Sequence, residues 1–303
     1  MALNIGGTMS ASPIALGCMR LASLSVPQAE TLVMQALEEG VNFFDHADIY
    51  AGGESEKIFG EILRRQPALR GQIFIQDKCG ICDGYYDASQ EHIIKAAEGS
   101  LARLGVEQLD VLLLHRPDTL MEPDEMAEAF TRLKRDGKVR RFGVSNMNVQ
   151  QLQLLARYIP DGIAINQMQI GLAHTTLIDE GLSVNTDASQ AIVRTGGVLE
   201  YCRCNGITLQ AWSPLQYGMF EGPFLTNEHF APLNDEIRML AQKYAVTDTA
   251  IAVAWLLRHP AGIQVITGTT NKDRLTGLCA AVRVRLTRPE WYRLYRLAGN
   301  PLP

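Results

Sequence analysis

From residue 13 onward, short apolar runs alternate with amphipathic stretches. PIALGC (13–18), VNFF (41–44), QIFIQDK (72–78), LDVLLLH (109–115), VRRFGVSN (139–146), GIAINQMQI (162–170), GITLQAWSP (206–214) and IQVITG (263–268) each predict a strand. Between them the apolar positions recur at helical spacing. Over 27–39, Ala29, Leu32, Val33, Ala36 and Leu37 share one face, and Gly40 is placed to cap it. Over 90–104, Ile94, Ala97, Leu101 and Leu104 do the same before Gly105. Further helices are expected over 55–63, 124–135, 149–157, 233–244 and 248–258, just before 206, from Asn271 and from Arg288. Two stretches, 171–187 and 215–232, show neither period and read as long loops.

Eight strands, each followed by a helix, are repeated βαβ units, whose crossovers are right-handed. The simplest closure is an α/β fold of one (β/α)8 TIM barrel, here with an N-terminal β-hairpin and extra C-terminal helices, and one domain covering residues 1–303. The rival, a doubly wound open sheet, usually carries GxGxxG after its first strand, and this chain has none.

Composition adds exclusions. Hydrophobic residues make up 47% and charged residues 20%, which suits a large core. A net charge of −5 with no run of Lys or Arg argues against a nucleic-acid partner and against an anionic membrane. The longest apolar run, Ala250 to Leu257, falls far short of the ~20 residues that span a bilayer. The N-terminus lacks a basic stretch leading into an apolar core, so a cytoplasmic location is expected. No coiled-coil seam is visible, so a monomer is expected. The six cysteines are expected to be reduced thiols and no metal is expected, although Cys79-Gly80-Ile81-Cys82 spells CxxC and Cys202 and Cys204 form a CxC pair.

In such barrels the chemistry sits at the C-terminal ends of the strands. There the second strand ends in Asp45 with Tyr50 in the loop beyond it, the third in Lys78 and the fourth in His115. Each has an ordinary explanation alone: a loop cap, a snorkelling amine, a core imidazole. Four on adjacent strands point to a site. A lysine ammonium ~4 Å from a phenol contributes roughly 4 kcal/mol at an effective dielectric of about 20. That is about three pKa units toward the phenolate, before any desolvation opposing it. Asp45 would hold Lys78 charged, Tyr50 would give a proton to a developing alkoxide, and His115 would orient a carbonyl. The set suits hydride transfer to an aldehyde or ketone if a nicotinamide is present.

With FFDHADIY (43–50), FIQDK (74–78), LLLHRPD (112–118) and RFGVSN (141–146) in order, the chain resembles the aldo-keto reductase family over essentially its whole length. The resemblance implies NADPH as cofactor, with NAD possible, and a small-molecule carbonyl substrate. It places Ser145, Asn146 and Gln167 on the nicotinamide carboxamide, Trp212 stacked on the ring, Ser213 and Leu215 near the pyrophosphate, and Gly17, Cys18 and Met19 along the other side of the pocket. The segment ITGTTNKDRL (266–275) independently looks like a phosphate anchor, a small-residue turn opening a helix. The resemblance assigns Arg274 to the 2′-phosphate with Thr269 assisting. Better-known members carry lysine where this chain has Gly268, and Gly277 and Leu278 replace polar adenine contacts. Lys272 is a candidate to compensate.

Substrate choice is expected to lie with residues 20–24, 80–88, 116–122 and 215–232, where Tyr85, Tyr86, Tyr217 and Phe220 could wall a pocket. Three alternatives stay open: a class I aldolase using Lys78 as Schiff-base nucleophile, a metallohydrolase recruiting Asp45, His46, Asp48 and His115, and a low-turnover nicotinamide-binding sensor. On the reductase reading, His46 and Asp48 become structural.

Overall fold

The computed structural model describes residues 2–187, 189–218 and 221–302. It opens with an antiparallel hairpin, β1 (Leu3–Ile5) and β2 (Met9–Ala11). The barrel strands follow: β3 (Ile14–Gly17), β4 (Phe43–Asp45), β5 (Phe74–Cys79), β6 (Leu109–Leu114), β7 (Val139–Ser145), β8 (Ile165–Gln169), β9 (Thr208–Trp212) and β10 (Gln264–Thr267). They close in the order β10-β3-β4-β5-β6-β7-β8-β9, with every barrel pairing parallel. The helices are α1 (Val26–Glu38), α2 (Glu54–Arg65), α3 (Gln90–Leu104), α4 (Pro123–Arg135), α5 (Val149–Ala156), α6 (Thr176–Leu182), α7 (Val198–Cys204), α8 (Ala231–Tyr244), α9 (Asp248–Leu257), α10 (Lys272–Cys279) and α11 (Arg288–Leu297). The predicted (β/α)8 barrel and its hairpin are both present.

Strands buried on both faces serve two cores, and the two-residue period sorts them. In β6, Leu112 and Leu114 pack outward against the helices, while Val111 and Leu113 point into the lumen with Ile5, Met9, Phe43 and Ile266. The hairpin closes the lower end. Gly6 accepts from Arg141 Nη2 at 2.6 Å and donates to Thr208 Oγ1 at 3.3 Å. Inside, the lumen leaves no room at Gly143, where a Cβ would stand 2.5 Å from Leu113 Cδ2 and 2.8 Å from the Ile165 carbonyl oxygen.

Local signals set the helix ends. Ser89 caps α3 by accepting from His92 N, and Gly105 ends it with φ 65°. Asn148 opens α5 with a capping box to Gln151. Asn146, two residues earlier, does not cap this helix. Its φ is +58° and its side chain points elsewhere.

One expectation needs correcting. The stretch 171–187 is not simply a loop, since α6 lies within it. Its seven residues have little intrinsic helical drive, and distant partners hold it. Asp179 Oδ1 accepts from Tyr295 Oη at 2.6 Å, and the Glu180 carboxylate accepts from the backbone N–H groups of Arg194, Thr195 and Gly197. The two helices expected over 233–244 and 248–258 are both present, as α8 and α9, between β9 and β10. The 215–232 segment before α8 is tied by a bridge between Gln216 and Pro223. Below, α11 locks onto α9, with Trp291 stacked on Trp255 at 4.7 Å and each indole N–H donating to the other's backbone carbonyl.

Candidate active site

The inward positions of β4 and β5 read Phe43, Asp45 and Phe74, Gln76, Lys78, so each strand turns from apolar to polar as it nears the upper rim. Asp45 and Lys78 are almost completely buried. Asp45 Oδ1 lies 2.6 Å from Lys78 Nζ, which also donates to the His46 carbonyl at 2.6 Å. A buried ion pair needs further hydrogen bonds to offset desolvation. Asp45 has them, for the same oxygen accepts from Gln76 Nε2 at 2.6 Å and Gln167 Nε2 at 3.0 Å.

Tyr50 begins a short 3-10 turn after β4, with Lys78 Nζ 5.0 Å from its ring centroid. The His115 ring meets it edge-on at 6.1 Å. His115 follows β6 directly and donates its backbone N–H to Cys79 O. All four predicted residues therefore converge on one rim.

Their protonation differs from the sequence expectation at one point. Burial pushes the Tyr50 hydroxyl up to about 12, and Lys78, pulling the other way, does not overcome it. The phenol is therefore held protonated. For Lys78, burial alone would lower the pKa, but Asp45 and then Tyr50 outweigh it and the ammonium stays above its ordinary range. An amine held charged in this way is a poor Schiff-base nucleophile. Burial, with Lys78 and Arg116, pushes His115 down to about 2, so its imidazole is neutral. Nδ1 of that ring is buried without a partner among the described residues.

His46 and Asp48 do not join this group. His46 packs its ring edge against Phe59 of α2 at 4.6 Å, and burial, then Lys78, lowers it to about 3. Asp48 is raised to about 6 by burial and by Glu56. Among the described residues, Asp45, His46, Asp48 and His115 do not bring donor atoms together at metal-binding distance.

Sequence reading missed the support below Asp45. Gln76 Nε2 and Gln167 Nε2 both donate to Gln210 Oε1 at 2.9 Å, Gln210 Nε2 donates to Gln264 Oε1 at 2.7 Å, and Gln264 Nε2 donates to Ser12 O at 2.7 Å. This file of buried amides runs across the lumen to the carboxylate. A signal existed: Gln76, Gln210 and Gln264 all occupy inward positions of the barrel strands.

Toward β7–β9 the rim carries the predicted cofactor contacts. Ser145 Oγ donates to Gln167 O at 2.9 Å and accepts from Asn146 Nδ2 at 2.8 Å. Asn146 Oδ1 accepts from Trp212 Nε1 at 3.1 Å, which fixes the half-buried indole, and the Arg116 guanidinium lies 5.8 Å from that ring. Ser213 turns the chain with φ +46°, and Leu215 is half-buried just beyond. Gly17 pairs with Asp45, Cys18 is buried with its N–H on Asp45 O, and Met19 is exposed at the rim. Beyond β10, Gly268 is exposed and a Cβ there would meet open space. Thr269 Oγ1 accepts from Asn271 N at 3.2 Å. The side chain of Asn271 caps α10 by accepting from Arg274 N at 2.8 Å, and Lys272 and Arg274 are exposed. A dinucleotide could lie between the Ser145–Trp212 group and this turn.

Of the residues expected to wall a substrate pocket, Tyr85 and Tyr86 are exposed and Tyr217 packs on Phe230 at 5.3 Å. Phe220 lies outside the described residues.

Comparison with known proteins gives a consistent result. Residues 13–298 match the family model described as "Aldo/keto reductase family". Over 291 residues the chain is 35% identical to "Oxidoreductase YdhF" of Escherichia coli K12, covering 93% of this chain and 91% of that one. It is 35% identical over 305 residues to "6-dehydroglucose reductase" of Novosphingobium aromaticivorans, covering 97% and 94%. The crystal structure of an aldo-keto reductase from Klebsiella pneumoniae in complex with NADPH superposes with a TM-score of 0.77 at 25% identity, covering 99% of this chain and 95% of that one.

Proposed function

Because this chain belongs to the aldo/keto reductase family, we propose that it is an NADP(H)-dependent oxidoreductase that interconverts an aldehyde or ketone and the corresponding alcohol. The observation that carries the reading is the buried Lys78–Asp45 pair at 2.6 Å with the Tyr50 ring beside it and His115 against that ring.

The donor set of the rim fits a nicotinamide dinucleotide. Ser145, Asn146 and Gln167 offer hydroxyl and amide groups suited to a carboxamide. Trp212 offers a stacking surface, with Gly17, Cys18 and Met19 across the pocket, and Ser213 and Leu215 lie where a pyrophosphate would pass. The positive N-terminal end of α10, with Thr269, Lys272 and Arg274 and the open space at Gly268, suits a terminal phosphate. When bound there, the reduced cofactor supplies the hydride.

The protein's own groups handle the proton. Tyr50 is protonated and donates its hydroxyl hydrogen to the carbonyl oxygen as negative charge develops there. Lys78 stabilises the phenolate that remains, and Asp45 keeps the ammonium in place. His115, neutral and with Nδ1 buried, presents Nε2–H to the same oxygen and orients it. In the alcohol-oxidising direction the same groups run in reverse. The whole of residues 1–303 acts as one catalytic domain, a monomer in the cytoplasm. Among the described residues no helix is long and apolar enough to cross a membrane.

The test is to titrate NADPH and NADH by fluorescence, then follow oxidation of the tighter binder across aromatic, aliphatic and sugar-derived carbonyls. The last class is included because one relative is named a 6-dehydroglucose reductase. Saturable NADPH binding and turnover of at least one carbonyl class are expected; binding of neither nucleotide would overturn the proposal.

A further inference from the structure

The CxxC of the loop after β5 has no part in the chemistry above. Cys79 is buried on the outward face of β5, within the layer between strand and helices. Cys82 is not, and it has neighbours. Its loop folds back as a small hairpin: Cys82 N donates to Tyr85 O at 2.9 Å, Asp87 N to Gly80 O at 3.0 Å, and Ile81 bridges Tyr86. The turn brings Cys82 and Asp87 against His92, in the first turn of α3, with one donor atom from each within 4.8 Å of the other two.

The detail of that meeting is informative. Cys82 Sγ lies 4.0 Å from His92 Nδ1, and Asp87 Oδ2 lies 3.8 Å from the same nitrogen. The carboxylate separation is too long for a hydrogen bond, and the thiol contact is long even for sulfur. A nucleophile relay needs the thiol on one ring nitrogen and the carboxylate on the other. Here both face Nδ1, so three donors surround one point. Asp87 is held in this pose by its other oxygen, Oδ1, which accepts from Ser89 N at 2.9 Å and leaves Oδ2 turned toward the ring. Tetrahedral zinc, with bonds of ~2.3 Å to sulfur and ~2.0–2.2 Å to nitrogen or oxygen, holds its donors roughly 3.3–3.6 Å apart. The two spacings to Nδ1 need to contract by only about half an ångström, and the third, between Sγ and the carboxylate, already lies within 4.8 Å.

We propose that Cys82, Asp87 and His92 form a binding site for a zinc-class divalent cation, with the fourth position open to water, which pins the 80–88 loop to the start of α3. A mixed sulfur, nitrogen and oxygen set favours such an ion over magnesium or calcium, which take oxygen donors. Binding exchanges the Cys82 thiol proton for the metal, so one proton leaves and no electron moves. The ion does not touch Asp45, Tyr50, Lys78 or His115, and its site is separate from the proposed catalytic one.

The full-length protein, stripped with chelator, is titrated with Co²⁺ and then Zn²⁺ while absorbance and heat are recorded. The expected result is one ion per chain and a thiolate-to-cobalt charge-transfer band that Zn²⁺ abolishes. Cys82→Ser should lose the band and His92→Gln should bind at least ~10-fold more weakly. Cys204→Ser, an exposed cysteine on α7, should match the parent. Absence of saturable binding at one ion per chain, or a band that survives Cys82→Ser, overturns the proposal. Should either variant fail to fold by circular dichroism, alkylation of Cys82 in the parent protein decides: Zn²⁺ should slow it at least ~10-fold, and an unchanged rate overturns the proposal.

Discussion

The rim above β4–β6 and the turn that opens α10 are built on opposite plans. At the first, Asp45 and Lys78 are buried and the carboxylate holds three donors. At the second, Lys272 and Arg274 are exposed, and the local hydrogen bonds hold the backbone, through Thr269 and Asn271, rather than the charges. Groups that must meet a transition state gain from being positioned in advance. Groups that grip the far end of a long cofactor can be ordered by the ligand, at some cost in side-chain entropy. One region is hydrogen-bonded through its charged side chains, and the other leaves its charged side chains exposed.

The comparison can be broken at four points. The largest effect is expected from Tyr50→Phe. It should lower carbonyl reduction by ~10²–10⁴-fold, the usual worth of a general acid, while NADPH binding followed by fluorescence stays within a few-fold. Near-parent turnover would remove Tyr50 from the mechanism. Next, Arg274→Ala should weaken NADPH by ~10–100-fold, as losing a charge-assisted contact does, and leave NADH almost unchanged. Equal losses for the two nucleotides would mean that Arg274 does not read the 2′-phosphate.

Gln76→Leu tests whether the buried rim is truly prebuilt. It removes one donor to Asp45 and one to Gln210, and should cost ~2 kcal/mol in chemical unfolding. It should lower kcat more than it raises the KM for NADPH; a loss of stability with unchanged kcat would reduce the glutamine file to packing. The last effect is absent near neutral pH, appears only on acidification, and concerns His46. Its folded pKa is depressed to about 3 by burial and then by Lys78, so the folded state binds fewer protons than the unfolded one between that value and about 6.5. The stability it contributes is therefore present above pH ~6.5 and is lost on acidification, at up to ~1.4 kcal/mol per pH unit. His46→Phe should flatten the acid side of the stability profile measured by denaturant melts. An unchanged slope would mean that His46 titrates normally.

The barrel was legible because strands buried on two faces and helices buried on one leave different periods in the sequence. The tetrad was legible because strand ends map to one rim, so Asp45, Tyr50, Lys78 and His115 could be placed together across seventy residues. What escaped had causes outside the local pattern. The helix α6 depends on Tyr295 and on the Arg194–Gly197 backbone. Gln76, Gln210 and Gln264 look like stray polar residues until the closed sheet brings them across the lumen. The direction of the Tyr50 shift was obscured because the attraction of a neighbouring charge can be guessed from sequence, whereas the depth of burial cannot.

The contact between Tyr295 and Asp179 has a consequence for the gene as well as the protein. A premature stop just before α11 would remove that helix and the residues beyond it, and would delete no residue of the proposed site. It would still strip the partner from a buried aspartate 116 positions upstream and uncover Trp255. Such an allele should lose function through degradation of an unstable product, and a chaperone or a lower growth temperature should rescue it where no added substrate or cofactor could.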